Sequence, residues 1–377
     1  MREAPRTVKA ARARRAMLVA VVLLTRASPA AAAGPYPPGA DRPPLLSLPT
    51  GIGDVVYTPG RGLRVGETRL TLAGYGAVDL VHEEGGPTTL RVESLDLFVI
   101  WDPLARVHLF SEIDTIDQED PHEERRNFLT DRLFGDFAGY DWLNLRVGKF
   151  LTPVGRWNQI HARPLVWTTS RPLVTKLPFD PYVTGAMLFG SRFPRTGTLT
   201  YSLYGQFTNN FDVEPPPQAQ DRAVGARLEY ASLGGWSVGG SYLAFTALPG
   251  EREAPERGAA AAGDQGGWRH LTGLDTLWQR GPFELMGEFA FQEPARGPGR
   301  QWGLYLQAVE EVVRRVYLIQ RYEYYDHPAP EPVVNIGVLG LAYKPWPFVV
   351  LKGEYLFADR RIEESPPGVK TSFTVLF

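Results

Sequence analysis

The sequence predicts an all-β fold, a transmembrane antiparallel β-barrel of about 16 strands with short turns at one end and long loops at the other. Three observations predict it. Segments of about ten residues alternate apolar and polar side chains from Thr68 to the last residue. The connections between them alternate short and long. Aromatic residues gather near the segment ends, and the chain finishes on an alternating stretch, Phe373-Thr-Val-Leu-Phe377.

Residues 1–33 read as a secretory signal. Arg2, Arg6, Lys9, Arg12, Arg14 and Arg15 precede an apolar run at 17–24, and Ala31-Ala-Ala33 offers small residues for cleavage. The run is too short to span a bilayer as a helix, and no later stretch approaches the roughly 18 apolar residues a spanning helix needs. The whole chain carries 40 Lys+Arg against 42 Asp+Glu. Without the seven basic residues and one acid of this segment, 33 basic face 41 acidic side chains, net -8. So acidic a mature chain is not expected to bind nucleic acid. The absence of cysteine excludes lipoprotein processing, disulfides, thiolate metal sites and a cysteine nucleophile.

Residues 34–67 are rich in Pro and Gly and read as an extended linker. The barrel is expected over 68–377. Sixteen segments are placed at 68–82, 90–102, 105–117, 130–139, 142–153, 183–193, 198–210 and 222–231, then 236–247, 268–280, 282–293, 300–311, 313–326, 333–344, 348–360 and 368–377. In 198–210, Leu199, Tyr201, Leu203 and Phe207 oppose Thr200, Ser202, Gln206 and Thr208. Segments 268–280 and 333–344 alternate poorly. The short connections would be periplasmic turns and the long ones external loops.

Alternation alone suits a soluble barrel with an apolar interior equally well. The inverted arrangement, apolar outside, is favoured by the large strand count and by Trp101, Trp142, Trp236, Trp278, Trp346, Tyr324 and Tyr325 near segment ends. It is favoured too by the end of the chain, Phe373-Thr-Val-Leu-Phe377, an alternating strand whose last residue is aromatic. An Arg or Lys on the lipid face costs roughly 2–4 kcal/mol at midplane, so parity turns charged residues inward. The wall residues so placed include Arg69, Asp79, Asp96, Glu112, Asp114, Arg146, Arg227 and Glu229. From later strands come Glu284, Glu288, Arg321, Glu323, Lys352 and Glu354.

The terminal Phe377 on its amphipathic strand resembles the C-terminal signature of Gram-negative outer-membrane proteins. In those families it is the assembly signal read by the barrel assembly machinery. Residues 144–158, Asn-Leu-Arg-Val-Gly-Lys-Phe-Leu-Thr-Pro-Val-Gly-Arg-Trp-Asn, resemble a strand-and-loop block of the porin family that includes phosphate-selective porins. The resemblance implies a cell outer-membrane porin of 16 strands, general or anion-leaning, commonly a homotrimer, surrounded by outer-membrane lipid. The luminal Lys/Arg ladders of the phosphate-selective members are not matched here, so phosphate specificity is not expected.

The longest connection, 154–182, is the third external loop. In 16-stranded porins, as the resemblance implies, this constriction loop folds into the lumen. Its own composition agrees. A loop carrying Trp157, Leu165, Val166, Trp167, Leu173 and Val174 is too apolar to sit in water. It also carries Arg156, Arg163, Arg171 and Lys176 against the single acid Asp180. In a narrow passage those charges would attract anions. Alternatively, they pair with wall carboxylates and leave no selectivity.

Six histidines show no metal-ligand spacing, so neither metal nor cofactor is expected. No G-x-S-x-G elbow is present. His161 in the loop is the best single residue for chemistry but has no evident partner. Glu112 and Asp114 share a strand face about 7 Å apart and fit a solvated wall better than an acid/base pair. The expectation is therefore a channel, not an enzyme, giving passive diffusion of small hydrophilic solutes or anions. A barrel hydrolase, or a barrel plugged by 34–67 or 154–182, remains the alternative.

Overall fold

A computed structural model describes residues 44–115, 129–160, 162–208, 220–247, 267–328, 333–362 and 364–377. The expected signal segment, the start of the linker and His161 lie outside the described residues.

Three short strands, β1 (Leu46–Leu48), β2 (Val55–Thr58) and β3 (Gly62–Val65), precede sixteen long ones. These are β4 (Leu70–Glu83), β5 (Thr88–Leu104), β6 (Val107–Asp114), β7 (Leu129–Tyr140), β8 (Leu143–Leu151), β9 (Tyr182–Arg192), β10 (Gly197–Gln206) and β11 (Gln220–Ser232). Then come β12 (Trp236–Ala247), β13 (Trp268–Arg280), β14 (Phe283–Pro294), β15 (Gln301–Val313), β16 (Val316–Asp326), β17 (Val334–Trp346), β18 (Val349–Ala358) and β19 (Gly368–Leu376). Each of the sixteen overlaps its expected segment, with ends that differ by up to four residues. Neighbours in sequence pair antiparallel, and β19 pairs β4 from Gly368↔Glu83 to Leu376↔Tyr75. That last pairing closes the barrel and leaves no free edge.

The pleat puts apolar side chains outside. On β13, Leu274 is 54% exposed while its neighbour Asp275, facing the lumen, is 3% exposed. Leu339 and Leu341 on β17 and Leu228 on β11 are likewise exposed. Trp101, Trp142, Trp236, Trp278 and Trp346 ring the short-turn end with their indoles exposed. Tyr325 does not join a girdle. It is wholly buried and donates to Gln301 Oε1 at 2.8 Å, because its parity on β16 points it inward.

Residues 44–67 form more structure than the extended lead-in expected of them. β1, β2 and β3 make an antiparallel meander, and β3 pairs Leu63–Val65 with residues 70–72 of β4. Strands of three or four residues are too short for alternation to reveal. β4 thus has β19 as partner over its upper part and β3 over its lower part. Between the two sits Phe377, whose N–H donates to Gly74 O at 2.9 Å and whose carbonyl accepts from Gly74 N at 3.0 Å.

A Cβ at position 74 would lie 2.2 Å from the Asp96 carbonyl oxygen and 2.8 Å from the Phe377 ring. The seam therefore has room only for glycine. Gly74→Leu is expected to cut the yield of folded barrel severalfold, read as loss of the heat-modifiable band in semi-native electrophoresis. Wild-type yield would show that Phe377 can seat elsewhere.

Candidate functional site

The connection between β8 and β9 lies inside the barrel. Its neck is closed by hydrogen bonds. Thr152 N donates to Pro181 O at 2.8 Å and Thr152 Oγ1 to Asp180 O at 2.7 Å. Asn158 Nδ2 donates to Thr152 O at 2.9 Å and Pro181 O at 3.1 Å. Beyond the neck come two short turns of 3-10 helix, Trp157–Ile160 and Leu173–Thr175. Trp157, Val166, Leu173 and Val174 pack on Met286, Tyr305, Tyr325, Val334, Ile336 and Leu356 of the wall. Val154 and Phe179 pack on a second apolar patch with Phe150, Val183, Leu243 and Phe245.

Wall carboxylates hold the backbone of this loop. Glu288 on β14 accepts Trp157 N at 2.6 Å and the Tyr305 hydroxyl at 2.9 Å. Glu354 on β18 accepts Thr169 N at 2.9 Å and Ser170 N at 2.7 Å, one on each oxygen. Glu323 on β16 accepts Leu173 N at 2.9 Å. Glu284 accepts the Trp167 indole N–H at 2.7 Å. A loop of irregular backbone buried in a barrel has donors that no strand can satisfy, and carboxylates satisfy them. Arg321 works the same way on carbonyl and hydroxyl groups, donating to Thr168 Oγ1 at 2.5 Å, Ser170 O at 2.9 Å and Ser170 Oγ at 2.6 Å. Lys352 Nζ donates to Arg163 O at 2.5 Å. Arg321, Glu323, Lys352 and Glu354 were expected as pore wall. They face inward but lie buried beneath the loop, so they fasten it instead of lining water.

Two of the loop's basic residues, Arg156 and Arg163, meet acids. Arg156 Nη2 lies 2.6 Å from Glu229 Oε1 and donates to Ser237 Oγ at 2.7 Å, while its Nε stands 3.7 Å from Asp275. Arg163 pairs with Glu93 and, at 3.3 Å, with Asp79. Arg171 braces the loop itself, donating to Asn158 Oδ1 at 3.0 Å and Thr175 O at 2.5 Å. Burial lowers its guanidinium below the ordinary value, but an arginine stays charged in a protein. Lys176 is exposed.

Other wall charges are paired as well. Arg146 on β8 makes a two-pronged contact with Asp136 on β7, at 2.7 and 2.8 Å, and stacks 3.8 Å over Phe134. Arg227 reaches Asp275 at 2.5 and 2.9 Å and Glu229 at 2.9 Å. Glu112 pairs with Arg132 and is fully buried, so it is not the solvated wall residue expected. Asp114 is half-buried beside it.

Asp136, Arg132 and Asp275 were overlooked, although parity alone places them inward. Glu93 and Asp131 are different, because a β-bulge turns each of them inward. The register shifts between Ala77 and Val78 leave Glu93 as the extra residue on β5, and the shift between Glu112 and Ile113 leaves Asp131 extra on β7. A bulge puts two consecutive side chains on one face. Strict alternation would send both carboxylates to lipid.

Among the described residues, lumen-facing charges that keep some contact with solvent include Glu93, Asp136, Arg132, Arg146, Arg156, Arg163 and Glu229, with side-chain exposures of 14–24%. They mark a path between the rim of the loop and the walls of β5, β7, β8 and β11. No protein-family model matches the sequence. An uncharacterised protein of Aquifex aeolicus is 23% identical over 373 residues, covering 85% of this chain and 81% of that one. Among solved structures, an anion-selective porin from Comamonas acidovorans superposes with a TM-score of 0.59 at 15% identity, over 81% of this chain and 98% of the porin. The fold is that of an outer-membrane porin. The trimer form of OmpT, an outer membrane protein of Vibrio cholerae, gives 0.56 at 11% identity, over 82% and 98%. The outer membrane channel DcaP of Acinetobacter baumannii gives 0.51 at 11% identity, over 82% and 97%.

Proposed function

We propose that this chain is an outer-membrane channel through which small hydrophilic solutes and ions diffuse, with residues 152–181 narrowing the pore. The observation that carries the reading is the inverted barrel itself. Sixteen strands enclose an interior that holds an inner segment, the outer belt is apolar, and charges facing inward keep contact with solvent. Export by the 1–33 signal, recognition of Phe377 by the assembly machinery and a homotrimer in the membrane belong to the same reading. The exposed apolar outer face leaves room for a subunit interface.

Selectivity follows from the pairing. Arg156 with Glu229, Arg163 with Glu93 and Arg146 with Asp136 cancel locally. Two of the loop's four positive charges are therefore spent on wall carboxylates, and the field runs across the pore more than along it. The channel is expected to pass ions of both signs, with at most a mild preference for anions. Reconstitution of the purified protein in a planar bilayer, with the reversal potential read under a KCl gradient, tests this. Stable ohmic steps with a reversal potential near zero are expected. The absence of steps from folded protein would overturn the channel reading.

Arg156→Ala should then move the reversal potential toward cation selectivity, because Glu229 and Asp275 lose a shared counter-charge. An unmoved potential would place the narrowest part elsewhere.

A further inference from the structure

We propose that Asp96, Asp114 and Asp131 bind a hard divalent cation of Ca2+ size on the lumen-facing wall. One carboxylate oxygen from each lies within 4.8 Å of the others. Ca2+ holds oxygens at about 2.3–2.6 Å, so two ligands of one ion stand up to about 5 Å apart. The three come from adjacent strands. Asp96 on β5 is directly opposite Asp114 on β6, and Asp131 is the bulged residue of β7. Like charges directly opposed across two strands repel. A bulge that adds a third carboxylate to the pair worsens the repulsion unless a cation sits among them.

Buried oxygens without donors point independently to a ligand. Glu112 is fully buried beside the cluster. Arg132 engages its Oε2, but its Oε1 has no hydrogen-bond partner. Asp96 is 2% exposed, and its Oδ2 also has none. Glu112 interacts electrostatically with both Asp96 and Asp131, so the four carboxylates form one group. A buried carboxylate oxygen without a protein donor is costly, and a metal ion removes that cost. The nearby cations are Arg132 and Lys149, the latter acting on Asp131 and lying 4.9 Å over the Tyr182 ring. Among the described residues, four acids against these two bases leave two negative charges, which one divalent ion would balance.

The surroundings resemble a built outer shell. The Tyr75 hydroxyl bonds Asp96 and the Tyr182 hydroxyl bonds Asp131, fixing the orientation of two ligands. Asp114 and Asp131 are half-buried, so an ion enters from the lumen and keeps water as its remaining ligands. The ion would cross-link β5, β6 and β7. Histidine spacing, the signal sought in the sequence, cannot reveal such a site, because its ligands lie on three strands and one of them on a bulge.

The test uses Tb3+ as the probe on the full refolded chain in detergent, with tyrosine excitation. Tyr75 and Tyr182 lie where they sensitise emission from an ion at this site. Saturable emission is expected, displaced by Ca2+ and less readily by Mg2+, whose preference for near-ideal octahedra the three aspartates do not meet. Asp114→Asn and Asp131→Asn should each weaken binding tenfold or more, and Tyr182→Phe should dim the emission. Variants are compared only where heat-modifiable migration shows a folded barrel. Wild-type emission that Ca2+ does not displace would overturn the proposal without any variant. So would an Asp114→Asn, Asp131→Asn protein that titrates like wild type, which would assign the emission to acids elsewhere and leave Lys149 as the counter-charge of the cluster.

Discussion

Replacing Glu288 and Glu354 together by alanine is expected to raise single-channel conductance severalfold and to make the open level noisy. The two glutamates accept Trp157, Thr169 and Ser170 backbone N–H groups from strands on one side of the barrel. Each donor left unpaired in a buried place costs about 1–3 kcal/mol, so the loop loses several kcal/mol of attachment. Its apolar anchors Trp157, Leu173 and Val174 remain. The loop should therefore loosen without leaving the lumen, which predicts fluctuating conductance and not a uniformly larger pore. Gly155→Val offers a check with both carboxylates intact. Gly155 has φ +64°, and a Cβ there would meet Glu288 Oε2 at 2.0 Å. It should displace the same anchor and give the same noise. Wild-type conductance in all these variants would mean that the apolar contacts, with the bonds from Glu284, Glu323, Arg321 and Lys352, suffice to fix the loop.

The barrel was legible because its outer face obeys one rule without exception-making partners. Lipid accepts any apolar side chain, so Leu274, Leu339 and Leu228 repeat with period two. The inner face obeys no single rule. Segment 333–344 alternates poorly because Val334, Ile336 and Val338 face inward yet are apolar. They form part of the floor on which the loop packs. Alternation fails there for the same reason that the loop is inside.

The site was legible in its residue types more than in its roles. The apolar, basic character of 154–182 identified a segment that needs cover, and Arg156 and Arg163 do face wall acids. Which acids they face depends on one bulge, at Glu93, and on a register between distant strands, neither of which periodicity encodes. Parity turns Glu323 and Glu354 inward. That they hold backbone N–H groups could be known only once the loop's path was known.

Arg227→Ala is expected to be the most destabilising single change in the wall. Arg227 is 6% exposed and Asp275 is 3% exposed, facing each other from β11 and β13 across β12. The guanidinium donates to both oxygens of Asp275, to Glu229 and to Ser241. Gly239 between them has no side chain because a Cβ would lie 2.5 Å from both Arg227 and Asp275. The strand in the middle has made room for the pair. Removing one partner of a buried ion pair leaves an uncompensated charge and costs about 3–5 kcal/mol. Arg156 stands 3.7 Å from Asp275 and supplies part of the missing charge, so the lower half of that range is the better expectation. Unfolding in urea after reconstitution into lipid vesicles measures the loss. Adding Asp275→Asn to Arg227→Ala should restore more than half of it, since the stranded charge is then gone. If the double variant is no more stable than the single one, the cost lies in lost packing of the arginine stem, and the ion pair contributes little to holding β11 and β13 in register.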